Sequence, residues 1–157
     1  MPKYRWLSHI ELEALEKEFI EYLVLNRITA DDWIEIKLIQ QEKAEKIIEL
    51  FSDVVFETIF RKVQYLDLRT KTELKSVQCL ATQMVLVGVS SVENNDIDLS
   101  DPILFDTYKK TPPKLNIYTS NINYKEAREL ELFRLTEEGF SIADGKLFKA
   151  LCLGLGS

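Results

Sequence analysis

Few side chains in this sequence could do covalent or metal chemistry. There is one histidine, His9, and the two cysteines, Cys79 and Cys152, lie far apart. One histidine excludes multi-histidine zinc sites, and separated cysteines do not make a Cys-x-x-Cys motif. No P-loop, Gly-x-Ser-x-Gly or Gly-x-Gly-x-x-Gly motif occurs. We therefore predict no catalytic residues, no metal site and no cofactor, while a Cys79–His9 dyad and a carboxylate site for magnesium stay open as alternatives.

Basic side chains concentrate around one tyrosine in the middle of the chain. This basic cluster consists of Arg61, Lys62, Tyr65, Arg69, Lys71 and Lys75. On one face of a sheet, these residues could hold phosphate or RNA, with the tyrosine stacking on a base. The alternative interpretation is an ordinary solvated edge of a small sheet.

Aromatic residues suggest a second kind of surface, because such side chains anchor protein interfaces. The candidate contact aromatics are Tyr4, Trp6, Phe105, Tyr108 and Tyr118.

A third group of residues combines Tyr124 and Arg128 with Glu129 or Glu131 at helical spacing. It predicts either one wall of a polar pocket or an ordinary surface ion pair.

Two signatures predict where helices begin in the first third of the chain. Ser8 and Glu11 form a capping box, in which side chains accept hydrogen bonds from the free amides of the first turn. Thr29 and Asp32 repeat it with a shorter carboxylate. The apolar spacing then predicts three helices, over 8–26, 30–39 and 42–61. We expect Val54-Val55-Phe56, near the end of the third helix, to be buried on most sides.

The apolar period shortens after residue 62, which favours strands. The predicted strands are Val63–Leu68, Leu74–Leu80 and Met84–Val89. The short connections between them predict an antiparallel meander. Cys79 is expected to lie buried within it, and Cys152 among apolar neighbours nearer the end of the chain. We expect both thiols to be buried and reduced.

The segment 91–122 contains three of the four prolines and resists assignment to any long element. A short edge strand is predicted at Leu115–Tyr118. The rest is either a loop that wraps the sheet or an arm that binds a partner, since long loops in compact domains are unusual unless they have a function.

Two further helices are predicted after this segment. Asn123 and Glu126 repeat the capping box, and Gly139 suits the end of that helix. Asp144-Gly145 is either a hairpin turn or the start of a last helix over 145–153, and we favour the helix. A DNA-binding helix-turn-helix needs a basic recognition helix, which is absent, so we interpret the pair as an αα-hairpin used for packing.

Length and charge narrow the class of protein. The 157 residues are 46% hydrophobic and 29% charged, as expected for one globular domain. The net charge is −6, and residues 1–60 carry 7 basic against 13 acidic side chains, which disfavours binding to nucleic acid or anionic membranes. No signal peptide opens the sequence and no apolar run reaches the roughly 18 residues of a membrane span. We predict a cytoplasmic protein.

Several runs of residues carry a family resemblance. They are Met1–Arg5, Glu11–Phe19, Ile28–Trp33, Glu49–Phe56 and Asp144–Leu151. Through them the chain resembles, nearly end to end, an uncharacterised family of Bacteroidota proteins. The resemblance implies a bacterial cytoplasmic protein and supplies neither an activity nor site residues.

Together these patterns predict an α+β fold in a single domain, 1–157. Its predicted parts are a helical part (1–61) packed on a three- or four-stranded antiparallel meander (62–90), a Pro-containing arm (91–122) and C-terminal helices (123–157). The leading functional hypothesis is a non-enzymatic interaction or assembly protein, such as an adaptor or accessory subunit. The alternatives are an RNA- or ribosome-associated protein that uses the basic cluster, and a small-ligand binder or enzyme of unknown class.

Overall fold

The computed structural model describes residues 1–90, 98–101 and 115–155. The chain divides into two compact units, a helical unit (Met1–Ile59) and a sheet unit that begins at Phe60. Helices come first, an antiparallel sheet follows, and further helices lie towards the C-terminus, which confirms the α+β class. Most of the predicted Pro-containing arm lies outside the described residues.

Four helices form the first part of the chain, and the last two of them follow the predicted ranges closely. The four are α1 (His9–Ala14), α2 (Glu16–Leu25), α3 (Ala30–Ile39) and α4 (Gln41–Lys62). Both capping boxes are confirmed: the hydroxyls of Ser8 and Thr29 accept the amides of Glu11 and Asp32, whose carboxylates accept the amides of the two cap residues in return. None of the helices in the described residues is long and apolar enough to cross a bilayer.

The prediction of one helix over 8–26 is wrong, because the chain breaks it at Leu15. There the backbone has φ −103° and ψ 20°, and the amide of Leu15 is shared between the carbonyls of Glu11 and Leu12. No glycine or proline marks the break, so the apolar spacing continues through it. Helix α2 ends where Arg27 adopts a φ of 62°, in the left-handed region.

Burial of the later part of α4 is also less complete than predicted. Val54 is 48% exposed and Val55 is half-buried, whereas Phe56 is buried. Successive residues on a helix point about 100° apart, so three in a row cannot all face one packing surface.

The sheet unit contains five antiparallel strands in the order β4-β3-β2-β1-β5. They are β1 (Tyr65–Arg69), β2 (Glu73–Cys79), β3 (Gln83–Ser90), β4 (Asn116–Asn123) and β5 (Ser141–Ala143). The meander of β1, β2 and β3 is confirmed. The prediction of three or four strands is too low, since β4 is twice as long as expected and β5 was not predicted.

The two faces of the sheet follow from the strand register. On one face, Leu74, Val87 and Val89 pack against Phe148 and Leu151 of the last helix, α6 (Lys146–Leu155). Leu66, Val77, Cys79 and Met84 alternate with that set and lie on the opposite face, where they are also buried.

The C-terminal predictions are partly wrong. Asn123 ends β4, and the next helix, α5 (Arg128–Glu137), begins after Ala127, which makes no side-chain cap. Instead the Glu131 carboxylate accepts the amides of Lys125 and Glu126, at 2.7 and 3.1 Å. The αα-hairpin is wrong because β5 lies between α5 and α6 and pairs with β1. The last helix and the glycine turn at Gly139, with φ 115°, are confirmed.

Candidate functional site

The helical unit leaves large apolar side chains in contact with solvent. Leu25 is 83% exposed, Ile10 77%, Leu38 76% and Val24 64%. Single exposed apolar residues are common on protein surfaces, but contiguous sets usually mark an interaction site. Where these side chains border a cavity, the unit therefore offers a candidate site.

An apolar cavity runs between α2 and α4, and we call it the α2–α4 groove. It has a volume of about 370 Å³. It is lined by Leu15, Glu18, Glu21, Tyr22 and Leu25 from the first side and Phe51, Val54, Val55, Thr58 and Ile59 from the second. The spacing within each set is three or four residues, so each helix contributes one continuous stripe.

Aromatic packing fixes the floor of the α2–α4 groove. The ring of Phe51, 2% exposed, lies with its centroid 4.9 Å from that of Phe19 and 5.3 Å from that of Tyr22. Above this floor Leu25, Val54 and Ile59 are exposed by 83, 48 and 41%. The groove thus has a rigid aromatic base and apolar walls that are partly open to solvent.

The charged side chains that line the α2–α4 groove are all acidic. Glu18 and Glu21 stand on the α2 side, and the lining contains no basic side chain. Burial raises the pKa of Tyr22 above its usual value, so this phenol stays neutral at physiological pH. A ligand for this groove therefore needs apolar groups for the walls and positive charge for the α2 rim.

A second, smaller cavity of about 280 Å³ lies between α2 and α3. Trp33 lines it, packs edge-on against Phe19 at 5.1 Å, and is covered in part by the Lys37 ammonium at 5.7 Å. Glu16 and Lys37 are its charged lining residues. This cavity lacks the single-sign rim of the α2–α4 groove.

The structure does not bring the basic cluster together on one face. Tyr65 and Arg69 share one face of β1, whereas Lys75 is paired with Leu68 and lies on the other. Lys75 also approaches the Glu73 carboxylate at 3.6 Å. The Tyr65 ring is packed against Phe148, with centroids 5.5 Å apart, so it is not available to stack on a base.

The remaining members of the basic cluster are exposed but dispersed. Arg61 and Lys62 occupy the last turn of α4, and Lys71 lies in the turn between β1 and β2. The Lys71 carbonyl accepts the amide of Leu99 at 3.0 Å. The six residues therefore do not form one continuous basic surface for an RNA backbone.

The contact aromatics have unequal accessibility. Trp6 and Tyr118 are exposed by 41 and 38%, which leaves them available to a partner. Tyr4 is only 9% exposed, and its hydroxyl donates to the Glu57 carboxylate, so it anchors the N-terminal segment on α4 instead. Phe105 and Tyr108 lie outside the described residues.

Arg128 forms an ion pair with Glu129, at 3.3 Å, as one of the two interpretations predicted, but the pair is largely enclosed and Arg128 is mainly a structural residue. Its guanidinium is 16% exposed and donates to four backbone carbonyls of the sheet unit. These are the carbonyls of Phe60 (2.9 Å), Val63, Cys79 (3.1 Å) and Leu80 (3.1 Å). The hydroxyl of Tyr124 also donates to the Leu80 carbonyl, at 2.8 Å. The constellation ties the end of α4 to the β2–β3 turn.

The reactive side chains are placed apart from any cavity that the structure describes. His9 is exposed and its Nε2 lies 3.0 Å from Glu13. Cys79 is buried, which raises the pKa of its thiol to about 11 and leaves it un-ionised. Cys152 is exposed, which corrects the prediction that both thiols are buried. Within the described residues no three His, Cys, Asp or Glu side chains are close enough to hold a metal ion.

Sequence reasoning missed the α2–α4 groove, although a signal for it exists. The predicted core stripe of the first helix includes Leu15, Phe19 and Leu23, and Leu25 falls off that stripe at a position where a solvent-facing helix usually carries a polar residue. Val54 is likewise an apolar residue on an exposed part of α4. Apolar residues that do not fit the core period were the available clue.

Comparison with known proteins gives a family and no activity. Neither the curated proteins nor the solved structures contain a match to this chain. The model of the family of unknown function DUF6495 matches residues 1–155. The predicted resemblance to a family without a known function is thus confirmed, while a Bacteroidota origin stays a prediction. The chain belongs to the DUF6495 family.

Proposed function

We propose that this protein is a non-enzymatic interaction protein that binds an amphipathic helix of a partner protein in its α2–α4 groove. The partner helix carries apolar residues at i, i+3 or i+4 and i+7, with lysine or arginine on the flank that meets the α2 rim. The observation that carries the proposal is the groove itself, with a fixed aromatic floor and walls that contain the 83% exposed Leu25.

The shape of the groove favours a helix as the bound element. Two helix stripes with a concave line between them accept the ridge of a third helix, as in other helix-in-groove complexes. Burying each large apolar side chain is worth roughly 1.5–3 kcal/mol. Three such side chains contribute roughly 4.5–9 kcal/mol before the costs of association, so the apolar contacts alone give a weak complex, to which charge at the rim adds.

Charge supports a basic partner. Glu18 and Glu21 flank the groove, and residues 1–60 carry 13 acidic against 7 basic side chains. Complementary charge at a rim mainly raises the association rate and selects the orientation of the partner. An acidic helix would be repelled at this rim, and a neutral helix would gain no electrostatic attraction there.

A site-specific cross-link tests the proposal. A photoreactive amino acid replaces Thr58, which lines the groove, or Glu35 on α3, which does not. Each protein is expressed in its source cell and irradiated, and the cross-linked partner segments are sequenced. We expect a cross-link from position 58 to a segment with apolar helical spacing and basic flanks, and none from position 35.

Two pairs of variants then test the forces involved. Leu25→Asp should abolish the cross-link, whereas Ile10→Asp, at a site of similar exposure outside the groove, should not. The double variant Glu18→Lys/Glu21→Lys should slow association, and Glu35→Lys should leave it unchanged. Absence of any cross-link at position 58, or capture of a segment without basic residues, contradicts the proposal.

A further inference from the structure

The two edges of the sheet are built differently. At one edge β5 is three residues long, and at the other β4 is eight residues long. An exposed edge presents unpaired amides and carbonyls, and proteins usually blunt it with a short strand, a charge, a proline or a bulge. The brevity of β5 satisfies this rule, whereas the length of β4 does not.

Strand β4 carries none of the other protective features. Its sequence, Asn-Ile-Tyr-Thr-Ser-Asn-Ile-Asn, contains no charged residue and no proline. Its register with β3 runs from the pair Gln83–Asn123 to the pair Ser90–Asn116 without a skipped residue, so it has no bulge. Among the residues that the structure describes, no strand lies beyond it.

The hydrogen-bond pattern identifies which groups of β4 point outward. The amide of Leu80 donates to the carbonyl of Gln83 at 3.0 Å, so the odd residues of β3 bond to β2 and the even ones to β4. By the same alternation, the even residues of β4 bond to β3. The amides and carbonyls that point outward therefore belong to Ile117, Thr119, Asn121 and Asn123.

From this edge we infer that the protein forms a symmetric dimer, in which β4 of one copy pairs antiparallel with β4 of a second copy. Two sheets of five strands then join into one of ten. The symmetry axis is perpendicular to the sheet, which requires that residues opposite each other share a sheet face. Only registers that pair odd with odd and even with even residues meet this condition.

Side chains select one register among these. With Ser120 opposite its own copy, Tyr118 stands opposite Ile122 of the second copy, and the reverse pair forms by symmetry. Both side chains are 38% exposed and lie on the same sheet face. Aromatic and β-branched residues are favourable cross-strand neighbours. With Thr119 at the centre instead, Tyr118 would oppose Ser120 and Ile122 would oppose Asn116, which loses both contacts.

The selected register also uses the outward backbone groups. It places Thr119 opposite Asn121 and Ile117 opposite Asn123 of the second copy, which gives about eight inter-chain hydrogen bonds. The strand is uncharged, but each chain carries a net charge of −6 and the two copies repel at long range. A single strand pair is also small for a stable interface. We therefore expect a micromolar dimer that tightens as salt screens the repulsion.

A charge-swap experiment on the full chain tests the dimer and its register together. Ser120→Lys places two like charges directly opposite each other, and so does Ser120→Glu. By sedimentation equilibrium we expect the dissociation constant of each variant to rise roughly tenfold or more above that of the wild type, and an equimolar mixture to recover a dimer. Ile142→Lys, at the exposed edge β5, is the matched control and should dimerise like the wild type.

Cross-linking provides a second readout that does not depend on charge. In a Cys152→Ser background, which removes the exposed thiol, Ser120→Cys should form an inter-chain disulfide under mild oxidation, while Asn116→Cys should not. A wild-type protein that stays monomeric at high micromolar concentration overturns the inference. Equal dimerisation of wild type, Ser120→Lys and Ser120→Glu overturns it as well. The groove on the helical unit is unaffected by either result.

Discussion

The helical unit and the sheet unit use their apolar and polar groups in opposite ways. In the sheet unit Leu66, Leu74 and Leu132 are fully buried, and even the Arg128 guanidinium is largely enclosed. In the helical unit Leu25 and Leu38 are more than three-quarters exposed, while the carboxylates of Glu11 and Asp32 act at exposed helix starts. These groups of the sheet unit are thus enclosed, although the outer edge of β4 is not, whereas the two leucines of the helical unit are exposed to solvent.

Polar groups show the same contrast through their pKa values. In the helical unit, hydrogen bonds from Arg5 and then Ser8 lower the pKa of Glu11 from 4.5 to about 2. In the sheet unit, burial raises the pKa of Asp67, even though Ser76 donates to its carboxylate at 2.6 Å. The ionised carboxylate is thus stabilised at the surface of the helical unit and destabilised by burial in the sheet unit.

The largest effect should come from removing Arg128. Arg128→Ala removes the charged donor from four carbonyls, of which that of Leu80 keeps the Tyr124 hydroxyl. Because hydrogen bonds to charged groups are strong, we expect a loss of about 3 kcal/mol in the free energy of unfolding. Urea denaturation measures it, and amide exchange should rise around Val63 and Leu80. Arg134→Ala, which removes an exposed ion pair with Glu126, is the control and should cost under about 0.5 kcal/mol. Equal losses in both variants would remove the contrast between the units.

A smaller effect, of opposite sign, is expected at Asp67. A carboxyl whose folded pKa is raised contributes stability below its unfolded pKa, near 3.9, and loses it as pH rises through the folded pKa. Asp67→Asn keeps an acceptor for Ser76 without the charge, so at pH 7 it should make the protein more stable than the wild type. This advantage should vanish near pH 3.

Asp98→Asn provides a control with the opposite sign. The Ser100 hydroxyl and amide lower the pKa of Asp98, so this variant should be less stable than wild type at pH 7 and equally stable at low pH. Thermal unfolding from pH 3 to pH 8 checks both variants. Destabilisation by Asp67→Asn at neutral pH would show that the buried charge is needed in the sheet unit.

At Glu11 the expected change is mainly in titration. Arg5 donates two hydrogen bonds to this carboxylate, at 2.8 and 3.0 Å. Arg5→Ala should raise the pKa of Glu11 from about 2 towards 4.5, and Arg5→Lys should give an intermediate value. Because the folded pKa is lowered, the stability from this pair is present above pH 4.5 and lost as pH falls towards 2. Screening at this partly exposed site keeps it below about 1 kcal/mol. A carbon-detected NMR titration decides whether the pKa moves.

The smallest effect on stability is expected at the groove wall. Leu25→Ser should change the free energy of unfolding by less than about 0.5 kcal/mol, because this side chain is 83% exposed. Leu66→Ala, at a fully buried position, should cost about 3 kcal/mol in the same urea experiment. If Leu25→Ser is as costly as Leu66→Ala, the groove wall belongs to the core and is not a binding surface.

Prediction from sequence succeeded where the determining contacts are local. The capping boxes at Ser8 and Thr29 and the ranges of α3 and α4 depend on residues three or four apart, so the pattern contains the needed information. It failed at Asn123, where the same pattern begins on the last residue of β4. Pairing with β3, more than thirty residues earlier, outweighed the local capping signal there.

The candidate sites were harder to predict than the fold. The RNA-binding alternative required the basic cluster to share one sheet face, but the register places Lys75 on the other face from Tyr65 and Arg69. Shifting a strand pairing by one residue moves a side chain to the other face, and the sequence of one strand does not fix that register. The groove was missed because exposure of Leu25 depends on how α2 and α4 pack.

By itself the sequence determined the α+β class, the helix starts, the meander and the scarcity of reactive side chains, because each follows from composition or from short-range spacing. Only the tertiary structure decided that Arg128 binds four carbonyls, that β5 completes one edge of the sheet while β4 is the outermost strand described at the other, and that an apolar groove remains on the helical unit. Each of these features brings together residues that are distant in the sequence. Packing and strand register decide which of those residues come into contact, and neither can be read from short-range spacing.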